Sequence, residues 1–381
     1  MVAVASVVAA VGTVAGVVSA LDDRAGGAQA RPKATGSPTL EPLPAVPTPA
    51  PSPATPTPAT PTPAPPSPSA TSSEESSARP SPTQPAPRPK PSPPAAGRLY
   101  RHGDSQVLDW VRAHRGDPRR PLIESRIADR PAAVWFADPS PETIRSRVRA
   151  VTSAAGDRVP VLVPYAIPDR DCAGASRGGA PDLAAYDAWI DRFAAGLGTG
   201  EVIVILEPDA IALSECLSAG QRGERYASLA RAGRVLKAAD PKARVYYDAG
   251  HSGWNAPRRQ AARLRQAGAA SAASSDGVFT NVSNFHRTAD EAAYARRVLA
   301  ALGGPRELGA VIDTSRNGNG APADGAWCDP DGRKLGRAPT LRTGEARIDA
   351  YLWIKLPGES DGCKGSPGTF SPGYAYELAR D

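Results

Sequence analysis

Seven short apolar runs, each closing on polar residues, most restrict what this chain can fold into. They occupy residues 133–136, 159–165, 201–206, 243–247, 277–282, 308–312 and 348–354. They are short and rich in Val, Ile, Leu and Tyr, which reads as strands buried on both faces. Between them lie Ala- and Arg-rich stretches with helical period. Residues 182–197 bring Leu183, Tyr186, Trp189, Ile190, Phe193 and Leu197 to one side, and Thr288 with Glu291 reads as a capping box opening the helix "ADEAAYARRVLAAL". Strands that alternate with helices build a parallel sheet covered by those helices. The expected class is α/β, a (β/α) barrel of about seven strands, regular or distorted.

Composition removes the first quarter of the chain from that fold. Residues 31–97, as in "PTPAPSPATPTPATPTPAPPSPS", are Pro, Ala, Thr and Ser with hardly a large apolar side chain. Such a tract cannot bury enough surface to offset its ordering entropy, so a disordered, extended linker is expected. Residues 1–30 begin "MVAVASVVAAVGTVAGVVSAL", which reads as a secretory signal or a membrane anchor. The protein is therefore expected to be secreted, or held at the cell surface. Residues 98–381 remain as one domain, with a monomer expected, and hold all four cysteines, Cys172, Cys216, Cys328 and Cys363. An even count in an exported chain points to two disulfides, with three pairings open. The sequence has no CxxC, HxH or HExxH, which argues against metal or redox chemistry, and no cofactor is expected. The net charge of +6 comes from scattered Arg and Asp rather than a basic stripe, so nucleic acid is not indicated as a partner.

In βα barrels the working groups stand at the C-terminal ends of the strands. Just past the runs here come Asp169 and Asp171, Asp209, Asp248 and His251, Asn281 and Asn284, Asp313 and Arg316, then Lys355, Glu359 and Asp361. Each has a plainer explanation when taken alone. Asp209 suits the N-cap of a helix from Ala210, Asp169 and Asp171 suit turns, and Asp248 with Gly250 suits a tight turn. Period-2 alternation would place Glu207 and Asp209 on one face. "GHSGW" puts Trp254 where a nucleophile elbow needs glycine, which argues against a serine hydrolase. Trp110 and Trp189 sit in helical patterns and suit a core. Trp135, Trp254 and Trp327 lie at strand ends or in loops, where an indole face can stack on a sugar.

Together, "YAIPDRDC", "ILEPDAIAL", "YYDAGHSGW", "TNVSNF", "VIDTSRNGNG", "AWCDPDG" and "WIKLPGESDGC" resemble, in order and rough spacing, the motifs of glycoside hydrolase family 6. The resemblance covers nearly all of residues 98–381. It implies a distorted barrel of about seven strands and metal-free, inverting hydrolysis of β-1,4-glucan, the partner being cellulose or mixed-linkage glucan. It implies Asp209 as the general acid, Asp171 as the neighbouring carboxylate that raises its pKa, and Asp361 as the base or anionic stabiliser opposite. Asp248 would be a sugar-binding carboxylate near Asp209. Trp135, Tyr165, His251, Trp254, Asn284, Trp327, Lys355 and Glu359 would contact substrate. The implied disulfides are Cys172 with Cys216 and Cys328 with Cys363. After Cys172 the family often carries a serine where this chain has Arg177; Ser176 stands beside it. The stretch from Cys328 to Asp361 is short, which implies an open cleft and internal cleavage. A cellobiohydrolase of the same family is the alternative enzyme. A non-catalytic glycan-binding cell-wall protein would be expected to have lost Asp209 or Asp361, and a metal-dependent deacetylase would need histidine ligands that the chain lacks.

Overall fold

The computed structural model describes residues 99–380. The expected signal or anchor segment (1–30) and the linker (31–97) lie outside the described residues. Seven parallel strands stand side by side in chain order: β1 (Val134–Phe136), β2 (Val161–Pro164), β3 (Val202–Leu206), β4 (Ala243–Asp248), β5 (Gly277–Thr280), β6 (Gly309–Asp313) and β7 (Ile348–Leu352). Parallel neighbours need crossovers, and helices supply most of them. The first, α1 (Gln106–Ala113), precedes the sheet, followed by α2 (Arg120–Ile123), which runs into a π-helical turn at Glu124–Ala128. Then come α3 (Pro141–Ala155), α4 (Leu183–Ala194), α5 (Ala219–Ala239), α6 (Pro257–Gln266), α7 (Thr288–Leu302) and, after the last strand, α8 (Pro372–Ala379). β6 and β7 are joined by a long irregular segment instead of a helix.

Alternation along the strands separates two apolar layers. On β3, Val202, Val204 and Leu206 pack with helix residues such as Tyr186, Trp189 and Leu229. Ile203 and Ile205 point the other way, into a barrel interior shared with Val161, Val163, Tyr246, Phe279, Val311 and Leu352. The sheet is thus buried on both faces, which is why its strands read as continuous apolar runs. The edge strands β1 and β7 approach without a ladder among the described residues. The Ala133 N–H donates to the Trp353 carbonyl at 2.9 Å, and the Trp135 indole donates to that of Ile354 at 2.7 Å. The barrel is therefore distorted at this seam.

The starts of α3 and α4 follow their sequence signals, and that of α7 does not. α3 opens on Pro141 and buries Ile144, Val148, Val151 and Ala155, one stripe at helical spacing. Asp182 caps α4 by accepting from the Ala185 N–H at 2.7 Å. The capping box expected at Thr288 and Glu291 does not form: Arg287 is the N-cap and makes no side-chain cap bond. Glu291 is buried instead and accepts from the Ser252 N–H at 2.8 Å. A capping box does open α5, between Ser218 and Gln221.

Among the described residues no helix is long and apolar enough to cross a membrane. Close approach of β5 and β6 depends on Gly277, whose φ is 144° and where a Cβ would lie 1.8 Å from the Gly309 carbonyl oxygen. Gly277→Ala is expected to destabilise the fold by about 1–3 kcal/mol. Urea denaturation measures this, and an unchanged midpoint would show that the strands can separate without cost.

Candidate active site

Because all seven strands point the same way, their C-terminal ends share one mouth. There a groove of about 1610 Å³ opens. It is lined by Asp171, Asp209 and Asp361, and by every expected contact residue, Trp135, Tyr165, His251, Trp254, Asn284, Trp327, Lys355 and Glu359, except Asp248. Asp248 is placed differently from the sugar-contacting position expected for it. Its carboxylate lies behind the wall, where Oδ2 accepts from the N–H groups of Ile211 and Ala212 at 3.1 and 2.7 Å and Oδ1 from that of Gly250 at 2.8 Å. Both oxygens are occupied by backbone, so the side chain fastens the chain just past Asp209.

The extended geometry expected for Glu207-Pro208-Asp209 is absent. Glu207 and Asp209 have φ of 48° and 70°, in the left-handed region that non-glycine residues rarely enter. Alternation fails there, and the two carboxyls part. Glu207 turns inward and binds the N–H groups of Ala166 and Ile167. Asp209 faces the groove and caps no helix; residues 208–213 form turns.

Burial pushes the Asp209 carboxyl well above its ordinary range, and the charges of Asp248, Asp171 and Asp361 push it the same way. Asp209 therefore holds a proton at pH values where free aspartate is ionised. Burial also raises the pKa of Tyr165, reinforced by Asp209 and Asp171, so its hydroxyl stays protonated.

Asp171 is presented by a tight turn. Its own φ is 57° and its Oδ2 accepts from the Ser176 N–H at 2.7 Å. A side chain at Gly174 would displace this carboxylate, since a Cβ there would lie 2.5 Å from that oxygen. The loop is fastened by the Cys172–Cys216 disulfide, Cα–Cα 5.8 Å, and by Arg170, which donates to the carbonyls of Ala137, Tyr165 and Ser176.

Asp361 is in different company. Its Oδ2 accepts from Arg316 at 2.7 Å and from the Asp329 N–H at 3.2 Å, and Lys355 lies 3.3 Å from Oδ1. Arg316 is itself fully buried, stacked 4.5 Å over Phe285, and donates to the Ser283 carbonyl and the Tyr374 hydroxyl. Two cationic side chains thus flank the Asp361 carboxyl. The supporting loop is pinned by the Cys328–Cys363 disulfide and by Asp329, whose carboxylate accepts from the N–H groups of Asp361, Cys363 and Lys364 and from the Ser360 hydroxyl. Burial alone would raise the Asp329 pKa, but these hydrogen bonds outweigh it and hold it at about 2.

Along the walls, His251 is driven down to about 3, first by burial and then by His286, whose ring stacks on it at 4.3 Å, so it acts as a neutral group. Burial raises Glu359 to about 7 against the pull of Lys355 and Gln106. Trp327 is 59 % exposed, an indole open to whatever enters the groove. Trp135 and Tyr165 meet edge to face at 5.1 Å. Sequence reading did not single out Asp329, His286 or Trp353, and read Glu291 only as a capping residue. Asp329 had a signal in "CDPDG", its place next to a cysteine; the others come from helix, loop and strand positions with ordinary structural explanations.

Removing one partner of a buried ion pair leaves a charge without compensation. Arg316→Met is therefore expected to cost about 3–5 kcal/mol, and much less when made in an Asp361→Asn background, where no anion is left unpaired. Chemical denaturation of the single and double variants measures this; equal losses in the two backgrounds would remove the ion pair as the cause.

Residues 98–376 match the family model described as "Glycosyl hydrolases family 6". The chain is 54 % identical over 284 residues to Endoglucanase 1 of Streptomyces sp. (strain KSM-9), covering 74 % of this chain and 77 % of that protein. It is 49 % identical over 284 residues to Endoglucanase A of Thermobispora bispora, covering 74 % of this chain and 61 % of that one. Among solved structures it resembles the endoglucanase Cel6 from Mycobacterium tuberculosis in complex with methyl-cellobiosyl-4-deoxy-4-thio-beta-D-cellobioside, with a TM-score of 0.68, 38 % identity and coverage of 74 % of this chain and 95 % of that one. A match over most of the chain, with the same fold, shows that the protein belongs to glycosyl hydrolase family 6 and is a glycoside hydrolase.

Proposed function

We propose that the protein is an endo-β-1,4-glucanase that hydrolyses internal bonds of cellulose or mixed-linkage glucan with inversion at the anomeric carbon. The observation that carries this reading is the unequal treatment of two carboxyls on one groove, Asp209 buried beside other acids and Asp361 held by Arg316 and Lys355. Inverting hydrolysis needs one carboxyl to give a proton and another to accept one, with room for a water between sugar and base. Asp209 protonates the departing glycosidic oxygen. A water attacks the anomeric carbon from the opposite face, and its proton passes to Asp361, directly or through a further water. Asp171 keeps Asp209 protonated by repulsion and, with the neighbouring Ser176, orders the water. The endoglucanase names of similar proteins and the cello-oligosaccharide analogue in the Mycobacterium tuberculosis structure support the substrate class. The short Cys328–Cys363 segment and the exposed Trp327 support an open groove and internal attack. The two disulfides and the apolar start of the chain support export.

Wild type and Asp209→Ala are to be compared on soluble carboxymethylcellulose. Internal cleavage makes viscosity fall well ahead of reducing-sugar release, and the variant is expected to lose about 10²–10⁴-fold in kcat. Equal activity would remove Asp209 from its role, and viscosity falling only in step with sugar release would favour a cellobiohydrolase. Nuclear magnetic resonance of the first product is expected to show the α-anomer; the β-anomer would exclude inversion. A proton donor with a raised pKa is active while protonated, so the rate is lost as pH rises through that value.

A further inference from the structure

Glu207 is a fully buried carboxyl that the hydrolytic scheme does not use. It leaves the end of β3 two residues before Asp209 and crosses to the end of β2, where Ala166 N–H lies 3.0 Å from both its oxygens and Ile167 N–H 3.1 Å from Oε2. The same segment is gripped from its carbonyl side. Arg225, on α5, donates to the carbonyls of Pro168 and Asp169 at 2.6 and 3.3 Å. The segment Ala166–Asp169 is thus held by an acid through its amides and by a base through its carbonyls, and it leads directly into Asp171. We propose that Glu207 is a positioning residue that fixes where Asp171 stands relative to Asp209.

This rests on the proposed hydrolysis, in which Asp171 acts on Asp209. The groups facing Glu207 are Tyr186 from α4, Arg170 and Tyr165 from the β2 loop and Arg225 from α5. Burial raises Glu207 to about 7, opposed by the Ala166 and Ile167 amides, then Tyr186 and Arg170. The buried Tyr186 hydroxyl lies beside it and finds no well-formed hydrogen bond among the described residues. As a donor it favours the ionised acid, as the Ala166 and Ile167 amides do.

Glu207→Gln replaces one acceptor oxygen with an NH₂ that meets the Ala166 amide, and so loosens the segment. Asp171 then drifts from Asp209, and its repulsion weakens. The expected result is a fall in kcat of about tenfold or more, KM within about twofold, and an alkaline limb of the kcat–pH profile displaced to lower pH. Loss of general stability alone would not displace that limb. Glu207→Asp, with a carboxyl too short to reach both amides, is expected to act the same way. A folded Glu207→Gln or Glu207→Asp with wild-type kcat and limb overturns the proposal. A measurement without variants complements this: the amide resonances of Ala166, Ile167 and Ser176 in the wild-type protein should titrate together with the Glu207 carboxyl carbon, and amides that ignore that titration overturn the clamp. If the wild type hydrolyses no β-1,4-glucan while these resonances move together, the function is wrong and the clamp stands.

Discussion

The mouth of this barrel is governed by one requirement, that a carboxylate buried at a strand end must find backbone N–H groups to replace water. Glu207 at the end of β3 takes those of the β2 loop. Asp248 at the end of β4 takes those of Ile211 and Ala212, beyond β3. Asp313 at the end of β6 takes that of Lys355, beyond β7. Each acid therefore ties one strand end to its neighbour's loop. Sheet hydrogen bonds fix the strands, but they stop where the loops begin; these carboxylates extend the connection to the residues that face the groove. The cost appears as backbone strain: Asp171, Glu207, Asp209 and Asn281 all have positive φ, a conformation worth about 1–3 kcal/mol each that persists only where surroundings over-determine it.

The same mouth divides its free carboxyls into two kinds. Asp209 is surrounded by other acids and low-dielectric walls; Asp361 sits between a guanidinium and an ammonium group. Identical side chains thereby stand in opposite electrostatic surroundings. The division is spatial as well as chemical. Of the acids around Asp209, Asp171 follows β2 and Asp248 ends β4, whereas the cations around Asp361 follow β6 and β7, so the curling of the sheet brings the two groups to one groove.

Much of this was legible in the sequence because it depends on periods and positions. Buried parallel strands announce themselves as β-branched runs, and the groove residues stand just past them. The misreadings share a cause. Alternation predicted that Glu207 and Asp209 would face together, and left-handed backbone defeated it. Thr288 and Glu291 had the capping spacing, but Glu291 is drawn to the Ser252 amide in the β4–α6 loop. The resemblance implied that Asp248 meets sugar, but backbone donors of the β3–α5 loop claim its Oδ2, while Gly250 holds Oδ1 in the tight turn that the spacing suggested. In each misreading a partner distant in sequence decides the side chain's place, and no single-residue spacing encodes such a partner.

The loop bearing Asp361 shows how far the requirement reaches. It follows β7 without a helix to rigidify it, yet its aspartate must stay within reach of Arg316 on the β6 side. Asp329 resolves this by accepting from the Asp361, Cys363 and Lys364 amides at once, while the adjacent Cys328 is covalently bound to Cys363. The cross-link limits how far the two segments can part, and the carboxylate sets their register within that limit. Asp329 in turn lies 3.8 Å from Arg316, so the guanidinium that holds Asp361 also holds the acid that shapes its loop. A single buried cation thus ties Asp361 to the backbone that presents it, and neither can shift without the other.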